Sequence, residues 1–155
     1  MRENAARELL LEIADQGYER MTWHGPNLKQ ALRGVSARQA AWRPARGRHN
    51  IWEYTIHAAY WKYVARKRLL DDPRRAFPFP GRNWFSSPAA LSEKDWKAAR
   101  ALLEREHRKW RVAVFKCAAR RLRKKHTGLI FGVAFHDVYH AGQIQLLRRL
   151  QKTGY

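Results

Sequence analysis

Two histidines one helical turn apart, His136 and His140, are the residues of this chain best placed to do chemistry. In a helix, positions i and i+4 set two imidazoles side by side, offset by about 6 Å along the axis. From there both ring nitrogens can reach one ion at about 2.0–2.1 Å. The stripe that carries them is Leu129, Val133, His136, His140, Gln143 and Leu147, stepping by four and three and bounded by aliphatics. Polar groups on such a seam cost about 1–3 kcal/mol each when left without partners, so something must satisfy them. A third histidine lies on another seam, where Tyr54, His57, Trp61 and Val64 step three, four, three. One such residue alone reads as a core histidine bonded to a carbonyl or a tyrosine. Three on the inward faces of two helices are better explained by a shared divalent metal. Cys117 is the only cysteine, which removes disulfides within the chain and Cys-based zinc clusters and leaves histidine and carboxylate as ligands.

The elements that must position these residues are all helical. Ala6, Leu9, Leu10 and Ile13 recur at helical spacing, with Glu8, Glu12 and Asp15 on the other side and Gly17 weakening the end. Pro26 suits the first turn of a short helix that stops before Gly34. Ser36 and Gln39 form a capping box for a brief helical turn, halted near Pro44. Asn50 and Glu53 open a helix from about Ile51 to Leu70, with Lys62, Arg66, Lys67 and Arg68 crowding its C-terminal end.

Pro73, Pro78, Pro80, Gly81 and Pro88 interrupt residues 71–91, a connection long enough to be a crossover. Phe77, Phe79, Trp84 and Phe85 give it apolar surface to pack on the bundle. Ser92 and Asp95 start a third long helix, expected to reach about Lys125, with Trp96, Ala99, Leu103, Glu106, Trp110, Ala113 and Cys117 along its seam. Thr127 and Gly128 should separate it from a last helix that ends near Lys152, with Gly154 at the exit. Strand-like alternation, a glycine-rich phosphate loop and internal repeats are all absent. The expected fold is all-α, a four-helix bundle with a long crossover between helices 2 and 3, in one domain over residues 1–155.

Composition bounds the function from outside. A length of 155 residues with 45% hydrophobic and 12% aromatic residues suits a globular core. Lys and Arg number 32 against 13 Asp and Glu, a formal charge of +19 that favours acidic partners. The densest basic cluster, Arg120, Arg121, Arg123, Lys124 and Lys125, is expected to close a helix, where cations are stabilising anyway. It lacks a recognition-helix motif and interleaved stacking aromatics, so nonspecific retention on polyanions is expected rather than a specific nucleic-acid function. The Met1 start has no apolar signal core and no run is long enough to span a bilayer, which reads as a cytoplasmic protein without a membrane partner.

Two segments carry a family likeness. Trp23-His24-Gly25-Pro26 through Ile51-Trp52-Glu53-Tyr54-Thr55-Ile56-His57 is one. His136-Asp137-Val138-Tyr139-His140-Ala141-Gly142-Gln143-Ile144 is the other. Together they resemble the DinB/YfiT-like superfamily of metal-binding four-helix bundles, over nearly the whole chain. That family's ligand pattern is one histidine on the second helix and an H-x-x-x-H-x-G-Q run on the last. His57, His136 and His140 match it, and Gly142-Gln143 completes the run. The resemblance therefore implies one divalent metal on these three histidines, with Asp137 and Gln143 beside them.

Three neutral histidines leave a coordination position open, the layout of a catalytic metal rather than a closed structural one. Imidazole ligands suit zinc or nickel, with iron and manganese as further candidates. The resemblance also implies a transferase that joins a low-molecular-weight thiol, such as bacillithiol or mycothiol, to a small-molecule electrophile, and a homodimer. A metal hydrolase is the rival reading, although His136-Asp137-Val138-Tyr139-His140 has Asp where the zinc-peptidase H-E-x-x-H has Glu. That shorter side chain holds a base farther from the metal. A non-catalytic metal protein that binds polyanions through its basic surface is the third.

Other residues invite smaller expectations. Asp137 shares a stripe with Ile130, Ala134, Ala141 and Ile144, which suggests a packing hydrogen bond or an ion pair with an arginine. Gln143 is placed either to orient a ligand or to cap a neighbouring helix. Glu106 and His107 are candidates to approach the site. His24 and His49 read as loop residues, His126 as solvated, and Trp23, Trp52 and Trp61 as core.

Overall fold

Helix starts in this chain are fixed by side chains that take up free backbone amides. In the computed structural model, which describes residues 2–20, 22–73, 77–118 and 124–153, six helices form and no described residue is in a strand. They are α1 (Arg2–Tyr18), α2 (Leu28–Ala31), α3 (Ala37–Ala41), α4 (Ile51–Leu70), α5 (Glu93–Ala118) and α6 (Lys124–Thr153). Ser36 and Gln39 form the expected capping box on α3. Asn50 accepts from the Glu53 amide at 2.9 Å to open α4. Ser92 Oγ accepts from the Asp95 amide at 3.1 Å to open α5. α2 starts not at Pro26 but at Leu28, capped by Asn27, which exchanges hydrogen bonds with Gln30.

The direction of each long helix follows from which residues share a core cluster. Ile51 and Ile56 pack with Trp96 and Leu103 at one end, while Ala65 and Leu69 pack with Trp110 and Cys117 at the other, so α4 and α5 run parallel. Leu10 and Ile130 belong to the second cluster, and Tyr18 and Ile144 to the first, so α1 and α6 run the opposite way. α4 packs on α5 and α6, and α1 on α6 and α5, which closes the four long helices into a ring. Residues 71–92 must therefore carry the chain back along the bundle, the crossover expected from its prolines. Gly17 serves the α1–α6 contact: a Cβ there would lie 2.8 Å from the Ala134 carbonyl oxygen.

Several local expectations are corrected. α5 is described to Ala118, and α6 begins at Lys124, so Thr127 and Gly128 lie inside α6 rather than before it. One glycine costs a helix about 1 kcal/mol, too little to end an element whose other residues pack on α1 and α4. Lys124 and Lys125 consequently belong to α6, as its first described residues, and not to the end of α5. Arg120, Arg121, Arg123 and Gly154 lie outside the described residues. Asp15 is buried rather than solvent-facing and is bonded by Arg111 at 2.9 Å. Trp23 is fully exposed and Trp61 half-buried, whereas Trp52 is core as expected. No described helix is long and apolar enough to cross a membrane.

Lys62 is the largest departure, because it does not belong to the basic end of α4. It is completely buried and paired with Asp137, also completely buried. Asp137 thus finds an ion pair, as expected, with lysine in place of arginine. Burial pushes the Asp137 carboxyl up and the Lys62 ammonium down, each opposed by the other's charge. A buried pair contributes little net stability but is costly to break. Lys62→Met should lose about 3 kcal/mol in urea denaturation at pH 7, whereas Lys62→Met with Asp137→Val should return to within about 1 kcal/mol of the parent. A single variant as stable as the parent would refute the pairing.

Glu53 ties the start of α4 to both neighbouring loops. Its carboxylate accepts from both terminal nitrogens of Arg43, meets His49 Nδ1 at 2.9 Å and accepts from the Ser87 amide at 3.1 Å. Burial alone would raise its pKa, but Arg43, His49 and the Ser87 amide outweigh it and hold the carboxyl at about 2. A carboxyl depressed in the folded state stabilises above its ordinary value of 4.5, and that stabilisation is lost as pH falls towards 2. Glu53→Gln should therefore cost about 2 kcal/mol at pH 7, with the gap to the parent closing between pH 4.5 and 2. Urea titrations across that range check it; a gap independent of pH contradicts the assignment.

Candidate metal centre

Every backbone position needed to gather three imidazoles comes from the antiparallel seam between α4 and α6. His57 stands two turns into α4, and His136 and His140 face it from successive turns of α6. Their Nε2 atoms converge: His57 to His136 is 3.0 Å and His140 to His136 is 3.0 Å. His57 and His140 are buried and His136 half-buried. The fully buried face of α6 is centred on Ile130, Ala134, Asp137, Ala141 and Ile144, so His136 and Gln143 lie at its edge rather than in the middle of the core. Leu129, the expected start of the stripe, is likewise only half-buried.

The far nitrogens decide what the near ones can do. His57 Nδ1 lies 2.9 Å from the Asn83 carbonyl oxygen, which only accepts, so this nitrogen carries the proton. His140 Nδ1 donates likewise to Gln143 Oε1 at 2.6 Å, and Gln143 Nε2 donates to the Tyr139 hydroxyl at 3.2 Å. In a neutral imidazole the other nitrogen then holds a lone pair. Two lone pairs thus point at His136 Nε2, whose single proton can satisfy one of them.

A cation satisfies all three nitrogens, and nitrogens sharing one at about 2.0–2.1 Å lie about 3.0–3.4 Å apart. Burial pushes all three rings towards the neutral form, His57 to about 4 and His136 to about 3, with mutual repulsion adding to both; His140 is lowered although its bond to Gln143 opposes this. Neutral imidazole is the form that binds metal. The three histidines could hold one ion. Both sequence readings of His57 meet in one residue, since it is bonded to a carbonyl and also aimed at the cluster.

Of the expected neighbours, Gln143 is at the site, bonded to His140, and does not cap another helix. Asp137 turns the other way, to Lys62. Glu106 and His107 are buried elsewhere. Glu106 pairs with Arg66 and Lys109, and His107 stacks on Tyr18 with Asp15 and Glu19 within 4.0 Å. Arg111 already occupies Asp15 there. His24 is exposed in the loop after α1.

The crossover contributes more than apolar cover, and sequence reasoning missed this. Asn83 supplies the carbonyl to His57, and its side-chain oxygen accepts from Trp61 Nε1 at 3.0 Å. Its φ of 70° is a left-handed conformation that asparagine tolerates better than most residues. Trp84 lies between two imidazoles, with ring centroids 3.8 Å from His57 and 3.6 Å from His49. His49 is therefore part of the wall and not a free loop residue. An asparagine after Gly81 and a tryptophan in a proline-rich loop were the available signals.

No curated protein and no solved structure matches the chain. A family comparison does: the DinB superfamily matches residues 20–144, a span that contains His57 and the His136–His140 pair. The chain belongs to the DinB superfamily.

Proposed function

We propose that His57, His136 and His140 hold one divalent metal, zinc or nickel before iron or manganese, in a metal-dependent enzyme of the low-molecular-weight-thiol S-transferase type. The observation that carries this is the convergence of three neutral Nε2 atoms, with the Nδ1 atoms of His57 and His140 already committed to Asn83 and Gln143. Such bonds fix ring orientation and raise ligand basicity. A metal with three histidine ligands and an open position supplies Lewis acidity, lowering the pKa of a thiol or water that binds there.

The chain's own part is positional. Asn83 and Gln143 hold two ligand protons away from the centre, and Trp84 and Tyr54 wall it beside His57 and His140. Among the described residues no carboxylate stands at the three Nε2 atoms, and Asp137 is taken by Lys62. A hydrolase of the kind that uses a carboxylate base would need one there, which favours transfer of a thiol that brings its own nucleophile.

Elemental analysis of protein prepared without a chelating column should find about one divalent metal per chain. The His57→Ala, His136→Ala, His140→Ala triple variant should contain none, and Gln143→Leu should bind about 10–100-fold more weakly. Equal metal in parent and triple variant would disprove the centre. The loaded protein should then join a bacterial thiol to a chloro-arene at a rate that chelation abolishes; metal without any thiol-dependent rate leaves a binding role.

The same reading includes a homodimer. α6 leaves Phe135, Tyr139 and Leu146 more than half exposed on its outer face, an apolar surface suited to a second copy. With a charge of +19 repelling like chains, the dimer should tighten as salt rises, and Leu146→Glu should shift sedimentation to the monomer. Monomer at every salt concentration in the parent would contradict it.

A further inference from the structure

Running from His136 away from the other two imidazoles, α4 and α6 leave a groove of about 150 Å³. Trp61, Val64 and Ala65 wall it from α4, and Leu129 and Val133 from α6, so its surface is almost wholly apolar. The cause is a gap in a ridge. Gly128, Gly132 and His136 succeed one another at steps of four on α6, and a Cβ built at either glycine meets nothing within 4 Å. Side chains there would fill the groove, and neither glycine is needed for a close helix contact or for an unusual backbone angle.

The two ends of the groove differ chemically. His136, a member of the candidate metal centre, stands at one. At the other the exposed Arg68 reaches the rim, one turn beyond Val64 on the same face of α4. A cavity of about 150 Å³ accepts one benzene-sized group. A guanidinium at its mouth favours a carboxylate, sulfonate or phosphate attached to that group.

We propose that this groove seats the aryl or short alkyl group of a small acid, with the acidic end paired to Arg68 and the apolar group held against His136. This names the substrate class of the proposed enzyme and rests on that reading only for the reaction. Occupation of the groove needs the cavity and Arg68, not the metal.

The test is calorimetric titration of the full chain, metal-loaded and chelator-treated, with 3-phenylpropionate and with its neutral amide. The acid should bind at least five-fold more tightly than the amide in both preparations, and Arg68→Gln should abolish that difference. Gly132→Leu should weaken acid binding at least ten-fold while keeping or raising the thermal midpoint, because leucine is the better helix former and the space is open. If leucine disturbs the fold, Gly128→Ala with Gly132→Ala narrows the same groove with two methyl groups and should weaken binding at least three-fold. Acid and amide binding equally, or glycine variants binding as the parent does, overturns the proposal. So does a Gly132→Leu chain whose only change is in self-association, which would make the groove an interface between copies. Acid discrimination that persists in a chain found to bind no metal leaves the groove standing and removes the metal reading; metal without discrimination does the reverse.

Discussion

The parallel run of α4 and α5 is the constraint from which the rest of the structure follows. Two parallel neighbours cannot be joined by a tight turn, so the chain after Leu70 has to travel back along the bundle before α5 can begin at Glu93. That return passes over the seam between α4 and α6, where His57 faces His136 and His140. The crossover can therefore do what a helix surface cannot. It offers a backbone carbonyl, from Asn83, at an angle that meets the Nδ1 proton of His57, and a flat ring, Trp84, that covers the same imidazole. Glu53 binds the far end of the crossover through the Ser87 amide, so the loop is tied to the helix that carries His57.

Polar burial is divided between two adjacent residues of α6. His136 and Asp137 point about 100° apart around the helix axis, one to the seam and one to the interior. The interior residue is neutralised by Lys62 from α4, five residues along from His57. α4 and α6 are thus joined twice, once by an ion pair in the core and once by the imidazole cluster at its edge. The pair in the core sets register: a slip of one turn would leave two buried charges without partners. Holding that register keeps the Nε2 atoms of His57 and His140 about 3 Å from that of His136 without requiring the imidazoles themselves to hold the helices together.

The parts of this arrangement that were legible in the sequence are those with a local cause. The capping side chains of Ser36, Asn50 and Ser92 mark helix starts because the hydrogen bonds lie within three residues. The α5 seam from Trp96 to Cys117 is buried throughout, because period alone decides which face packs. The long proline-bearing connection announced a crossover for the same reason. What remained hidden depends on partners distant in the chain. Lys62 sits in a run of basic residues and looks like a surface cation until Asp137, 75 residues away, meets it. Gly17 reads as a weak helix former until Ala134 comes close. Thr127 and Gly128 read as a helix break because their propensity is local, whereas the packing that carries α6 through them is not. At the site, the type and spacing of His136, His140 and Gln143 were informative; the role of Asn83 was not, because a backbone carbonyl has no signature in sequence.

α6 draws these threads together because its outward face carries large apolar side chains. Ile130, Ala134, Asp137, Ala141 and Ile144 face the interior, while His136, His140 and Gln143 face the seam. Phe135, Tyr139 and Leu146 face outward and remain exposed. With large apolar side chains outside and imidazoles on the seam, α6 has only a weak amphipathic signal to set its rotation in the bundle. Something other than hydrophobicity must then choose which residues face inward. Asp137 does so, since only one rotation of α6 brings its carboxylate to Lys62, and that rotation also presents His136 and His140 to His57. The buried charge therefore acts as the index mark for the site: what it contributes is less stability than the choice of a single arrangement among several that burial alone would leave close in energy.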